Sequence, residues 1–279
     1  MARGTKSIPA QFDAEFLDWF RERTEAAWAM GAERTPEDVL AQYVEWGAGD
    51  CSWQHGTRWL GGLGDEQIAK IERRWNLAFP PDYRLFLQRL HTVDRPMLCT
   101  GYLAEDEPPQ AALAGGALAT AYVEQFGQFM ALDEGPSFSH WLTDVDALEE
   151  RSARLWEGLQ FDVEYNELWL PSWGPKPAML SGRQDRVREL VQAAPKLIPI
   201  FGSRYLLAEP CMAGNPVFSV SQSDIVVYGA DLRDYLVFEF AELLGFSKRI
   251  EIERATRARV HERFPGYQAI PFWGELLTH

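Results

Sequence analysis

Between residues 197 and 228 the chain alternates short, β-branched runs with turn residues. The runs at 197–201, 205–208, 217–220 and 225–228 are separated by Gly, Pro, Asn and Asp, the punctuation of a multi-stranded sheet with brief connections. Strands this apolar must pack on something, and the rest of the sequence supplies helices to do it. Residues 12–30 place Phe12, Phe16, Trp19, Phe20 and Ala27 at helical spacing, with Gly31 as the stop. Thr35-Pro36-Glu37-Asp38 is a start signal for a helix to about Trp46, and the glycine-rich stretch 47–64 reads as a loop. Asp65 is placed to cap a helix over 66–75, and Tyr83, Phe86, Leu87 and Leu90 form the apolar face of another over 82–91. Residues 104–118 read as a loop, and 141–158 as a helix burying Leu148 and Leu155. Residues 161–164 and 168–171 read as two short strands around a Tyr165-Asn166-Glu167 turn. Helices follow at 177–193, 232–244 and 249–264, and Pro271-Phe272-Trp273 docks the tail. Helices first, strands later and helices at the end define an α+β fold.

Composition narrows the function. The 279 residues carry 27 Lys and Arg against 41 Asp and Glu, a net charge of −14, which disfavours direct binding to nucleic acid because phosphate neutralisation needs a basic face. The same charge either speeds encounter with a basic protein or serves only to keep the chain soluble. No stretch approaches the roughly 18 apolar residues of a membrane span, and residues 1–6 lack the apolar stretch of a signal peptide, so a cytoplasmic location is expected. Cys51, Cys99 and Cys211 form neither a disulfide framework nor a metal motif. Eleven tryptophans are many for this length; each is either core or interface material.

Catalytic signatures are missing. Gly61, Gly62 and Gly64 lack phosphate-loop spacing, and no nucleophile elbow occurs. The five histidines are separated in sequence, with none at helical metal-pair spacing, and His91 at a helix end is placed to carry favourable positive charge. Asp162 and Glu164, read as alternate residues of one strand, share a face and are the nearest approach to an acid/base pair. No metal and no cofactor are expected. The richest constellation runs from 162 to 228: Glu164, Asn166, Trp169, Trp173, Arg204, Tyr205, Asn215, Ser219, Gln222, Asp224 and Tyr228. Arg204 and Asp224 are placed to pair at the sheet edge. These residues form either a polar network that stabilises the sheet or a concave surface that grips a ligand or partner.

Leu63-Gly64-Asp65-Glu66-Gln67-Ile68, Ile71-Glu72 and Leu77-Ala78-Phe79-Pro80-Pro81-Asp82-Tyr83 resemble the opening of the SUKH superfamily. Its members include the yeast regulator of cell-wall synthesis and many bacterial immunity proteins. Leu168-Trp169-Leu170, Trp173-Gly174, Arg204-Tyr205, Gly214-Asn215-Pro216-Val217-Phe218-Ser219-Val220, Gln222-Ser223-Asp224-Ile225, Tyr228-Gly229 and Ile270-Pro271-Phe272-Trp273 extend the resemblance over about residues 50–279. The chain departs from the family at Ser203, where a His is frequent, and at the Tyr165-Asn166 corner.

The resemblance implies a mixed, largely antiparallel sheet flanked by helices and a noncatalytic binding role. That role is an immunity-type inhibitor that neutralises a bacterial toxin, the partner being a basic toxin domain rather than nucleic acid or membrane. A regulatory scaffold linked to cell-wall physiology and a small-ligand receptor using a Trp-rich pocket are the alternatives. Residues 1–47 are expected to be a helical extension packed on a main domain of residues 48–279 through Phe16, Trp19, Phe20 and Trp28. The working rim is expected at Glu164, Trp169, Trp173, Arg204, Tyr205, Gln222 and Asp224.

Overall fold

A computed structural model describes residues 8–31, 51–102, 119–123, 128–134, 137–246 and 249–277. The expected helix to Trp46 and the loop at 104–118 lie outside the described residues. The fold is α+β, with helices packed around antiparallel sheets.

Helix α1 spans Ala14–Met30, two residues later than its apolar spacing suggests, because the Asp13 carboxylate accepts the Phe16 N–H at 3.0 Å and caps it. Helix α2 is Asp65–Trp75; its cap is Gly64, whose N–H is taken by the Gln67 side chain at 2.9 Å, so Asp65 falls inside the first turn. Helix α3, Pro81–Arg89, starts on a proline that costs no hydrogen bond there. Strand β1 (Cys51–Ser52), β2 (Leu98–Tyr102), β3 (Ala119–Val123) and β4 (Gln128–Glu134) make one sheet in the order β1-β2-β4-β3, all antiparallel, with Cys51 directly opposite Cys99. No strands are expected here from the sequence. Gly101, Ala119, Ala121 and Ala131 dilute the β-branched signal.

The second sheet is the expected one: β5 (Leu197–Phe201), β6 (Arg204–Leu207), β7 (Val217–Ser221) and β8 (Asp224–Gly229), in sequential antiparallel order. Among the named strands every pairing is antiparallel, so the mixed character expected from the resemblance is confined to one isolated parallel bridge, Ile225 with Leu277. Pro199 sits on the edge strand β5 beside a bulge, where its missing N–H is tolerated. Side chains alternate between the sheet's faces. Ile198, Ile200, Leu206 and Val217 join a core with Phe16, Leu17 and Phe20 of α1, Phe86 of α3, and Tyr235 and Phe240. Leu197, Tyr205, Leu207, Phe218 and Val220 join a second core with Leu159, Val163, Trp173, Val187 and Trp273.

That second core rests on α4 (Val145–Tyr165) and α5 (Leu180–Ala193). The strand expected at 161–164 is the last turn of α4 instead. Leu148, Leu155, Leu159 and Val163 recur at helical spacing and outweigh the local alternation of Phe161, Asp162, Val163 and Glu164. Residues 165–167 are accordingly the helix exit rather than a hairpin turn, with the Asn166 N–H returning to the Asp162 carbonyl at 3.1 Å. Residues 168–170 carry no strand, and Pro171–Trp173 is a 3₁₀ turn. Helix α6, Leu232–Glu239, ends five residues early, the remainder running as turns to Gly245 at φ +81°. Helix α7 is Arg249–Gln268, four residues longer than expected. Among the described residues no helix is long and apolar enough to cross a membrane.

Candidate functional site

The seven expected rim residues do not form one surface. Trp173 is 2% exposed and belongs to the second core, stacked on Phe272 at 5.8 Å and meeting Trp169 edge-on at 5.6 Å. Its place on a binding rim is overturned. Trp169 is half-buried and spends its indole N–H on the Gly174 carbonyl at 2.8 Å. Arg204 and Tyr205 are strand neighbours and therefore face opposite sides of the sheet. The Arg204 guanidinium lies 3.8 Å from the Tyr228 ring centre, donates to the Ser203 and Ser219 hydroxyls, and ion-pairs with Glu239 of α6 at 3.5 Å. The carboxylate that answers Arg204 is thus Glu239 rather than the expected Asp224, which stands exposed at the β7–β8 turn opposite Ser221. Asn215 is buried and structural, its amide donating to the Leu207 and Pro210 carbonyls, each at 2.8 Å.

The acid/base pairing of Asp162 and Glu164 also fails. Two residues apart on a helix they diverge by about 200°. Asp162 is 4% exposed and Glu164 is exposed. The buried carboxylate acts as a structural tie between the end of α4 and the β7–β8 turn. One of its oxygens accepts the Ser223 N–H at 2.8 Å and the other the Asn166 amide at 2.6 Å.

The fold does bring together a site that the expected rim half contains. A cleft of about 660 Å³ opens between α4 and the turns of the β5–β6 and β7–β8 hairpins. Tyr205 and Gln222 line it, with Ser139, Arg151, Ser203 and Ser221. Arg151 bridges its walls: one terminal nitrogen donates to the Ser139 hydroxyl and the other to the Gly202 carbonyl at 2.8 Å. The buried Tyr205 hydroxyl donates to the Arg151 carbonyl at 3.0 Å, fixing the helix turn from which that side chain springs. Burial pulls the Arg151 guanidinium below its ordinary value, against the opposing influence of Tyr205 and Tyr83. Gly158 lets α4 approach the β7–β8 turn, since a Cβ there would stand 2.8 Å from the Gln222 Cα. Gln222 itself is held at φ +58°, in the left-handed region. The missed residues carry a signal: Arg151 interrupts the Leu148–Leu155 apolar stripe with a charge, and Gly158 weakens a helix interior for no local reason.

Two further features stand outside the cleft. His91 and His140, far apart in sequence, have ring centres 4.5 Å apart. His91 is 2% exposed, accepts the Trp141 N–H on Nε2 at 3.3 Å, and is pushed down to about 4 by burial and by His140, so it is neutral rather than the cation expected at a helix end. The outer face of α4 carries Asp146, Glu157 and Glu164, all exposed and separated by eleven and seven residues, close to whole helical turns, which sets them in one stripe. At its C-terminal end Phe161 and Tyr165 are 45% and 65% exposed with ring centres 4.9 Å apart. The Glu164 carboxylate beside it holds the Tyr165 phenol above its ordinary value. No family model, curated protein or solved structure matches the chain.

Proposed function

We propose that this chain is a noncatalytic binding protein that neutralises a basic toxin domain by direct contact, the immunity-type role its resemblance to the SUKH superfamily implies. The observation that carries the reading is the outer face of α4, a carboxylate stripe ending in the exposed Phe161–Tyr165 pair. Charge of one sign steers a partner of the other, and exposed aromatic rings supply the contact area that interface hot spots use. Of the seven expected rim residues, Glu164 belongs to this face. The binding surface moves accordingly from the strand ends to the helix.

Growth rescue is the direct test. Cells expressing the toxin domain encoded immediately beside this gene should survive when the chain is co-expressed, and the two purified proteins should associate in equal amounts. Reversing Glu157 and Glu164 to lysine together should slow association by about tenfold and flatten its salt dependence while leaving the fold intact. A neighbouring toxin that kills regardless of the chain, or an association rate indifferent to both reversals, would sink the proposal.

A further inference from the structure

We propose that the cleft between α4 and the hairpin turns is a binding site for a small organic anion, whose carboxylate or phosphate group is received by Arg151. Charge around this residue is out of balance. A guanidinium offers five N–H donors and is always charged. Arg151 is half-buried, and its partners, the Ser139 hydroxyl and the Gly202 carbonyl, are both neutral and use two of those donors. Among the described residues no carboxylate ion-pairs with it. A cation withdrawn from water without a counter-charge is costly, and proteins ordinarily pair such groups.

The two acids that share the cleft wall are already engaged. Glu150 is bound to Arg154 at 2.6 Å, and Asp144 accepts the His140 N–H at 3.0 Å and the Thr143 hydroxyl at 2.8 Å. Arg154, the other cation of the lining, is neutralised by that same Glu150, and the hairpin turns add neutral hydrogen-bonding groups at the mouth, Ser203, Ser221 and Gln222. A volume of about 660 Å³ is that of a metabolite-sized ligand, within the range of ordinary small-molecule sites. The walls are also fixed before any ligand arrives. Arg151 holds the β5–β6 turn through Gly202, Asp162 holds the β7–β8 turn through Ser223, and Gly158 seats the helix on Gln222. A preformed site with one uncompensated guanidinium and a ring of hydroxyl and amide groups selects an oxyanion carried on a polar body.

The test uses the full chain at constant ionic strength, titrated calorimetrically with inorganic phosphate, acetate, succinate and a nucleoside monophosphate. At least one probe should bind saturably below about 10 mM; which one responds distinguishes a carboxylate from a phosphate ligand. Arg151→Lys keeps the charge but loses the planar fork, and should weaken binding about tenfold. Ser221→Glu places a carboxylate at the exposed mouth and should weaken it at least as much, with circular dichroism confirming that each variant is folded. Saturable binding reduced by either variant supports the site. Failure of every probe to bind, or binding equal to wild type in both variants, overturns it and leaves Arg151 a structural clamp.

Discussion

Trp173→Ala separates core from surface in a single measurement. The indole is 2% exposed, stacked on Phe272, and the Arg186 guanidinium closes over its backbone by donating to the Trp173 carbonyl at 3.1 Å. Removing about 200 Å² of buried apolar surface is worth roughly 5 kcal/mol by transfer alone. Large-to-small substitutions of this kind cost about 3–5 kcal/mol in practice. One term runs the other way. The Trp173 indole nitrogen is buried with no hydrogen-bond partner among the described residues, and deleting an unsatisfied donor returns about 1 kcal/mol or more. The net expectation is a loss of about 3 kcal/mol, a large fraction of the stability of an ordinary domain. Urea unfolding followed by far-ultraviolet circular dichroism should show the midpoint lowered by about 1 M with an unchanged slope. Half-buried Trp169, changed to Ala, should lose about half as much. A Trp173→Ala protein with a wild-type midpoint would refute the packing argument.

Other outcomes follow from the geometry. Gly158→Ala should destabilise by about 1–3 kcal/mol although alanine is the better helix former, because its Cβ meets the Gln222 backbone; a melting temperature equal to or above wild type would contradict the close approach. The folded-state value of His91 is depressed to about 4, so the unfolded chain binds its proton first, and acidification from about pH 6.5 to 4 should remove up to about 3 kcal/mol of stability. Asp234 works in the opposite sense: burial and the nearby Asp231 outweigh its ion pair with Arg259 and push it up to about 6, so the folded chain takes that proton first and gains stability as pH falls from about 6 towards 4. Asp234→Asn should therefore steepen the acid loss, and urea midpoints that fall in parallel for wild type and variant would refute the assignment.

The second sheet was legible because each of its strands is short, β-branched and bounded by turn residues; the bounds of β5, Leu197–Phe201, match the sequence expectation residue for residue. Helices with a clear apolar stripe, such as α2 through Ile68 and Ile71, were legible for the same reason. The first sheet was not, since its pairings are long-range and its strands rich in Ala and Gly. The error at 161–164 has a specific cause. Four residues of alternating polarity satisfy both periods, and the choice depends on Leu155 and Leu159 upstream, which extend the helical one. That misreading displaced Glu164 from a helix face to a strand end and made a rim from residues that the fold separates. Arg204 and Tyr205 show the remaining limit: chain neighbours look like partners until the pleat sends them to opposite faces.

Helix α4 presents its acidic stripe outward while its inner side forms one wall of the cleft. Pinned to both hairpin turns, through Arg151 and Gly202 at one and Asp162 and Ser223 at the other, it has no freedom to shift one side without carrying the other along. Both surfaces therefore belong to one pinned helix. If the proposed anion tilted α4 on entering the cleft, it would change the affinity of a partner on the outer face, and that partner would change the cleft's affinity by the same factor. A substitution that loosens one pin, such as Asp162→Ala, would uncouple the faces before it abolished either.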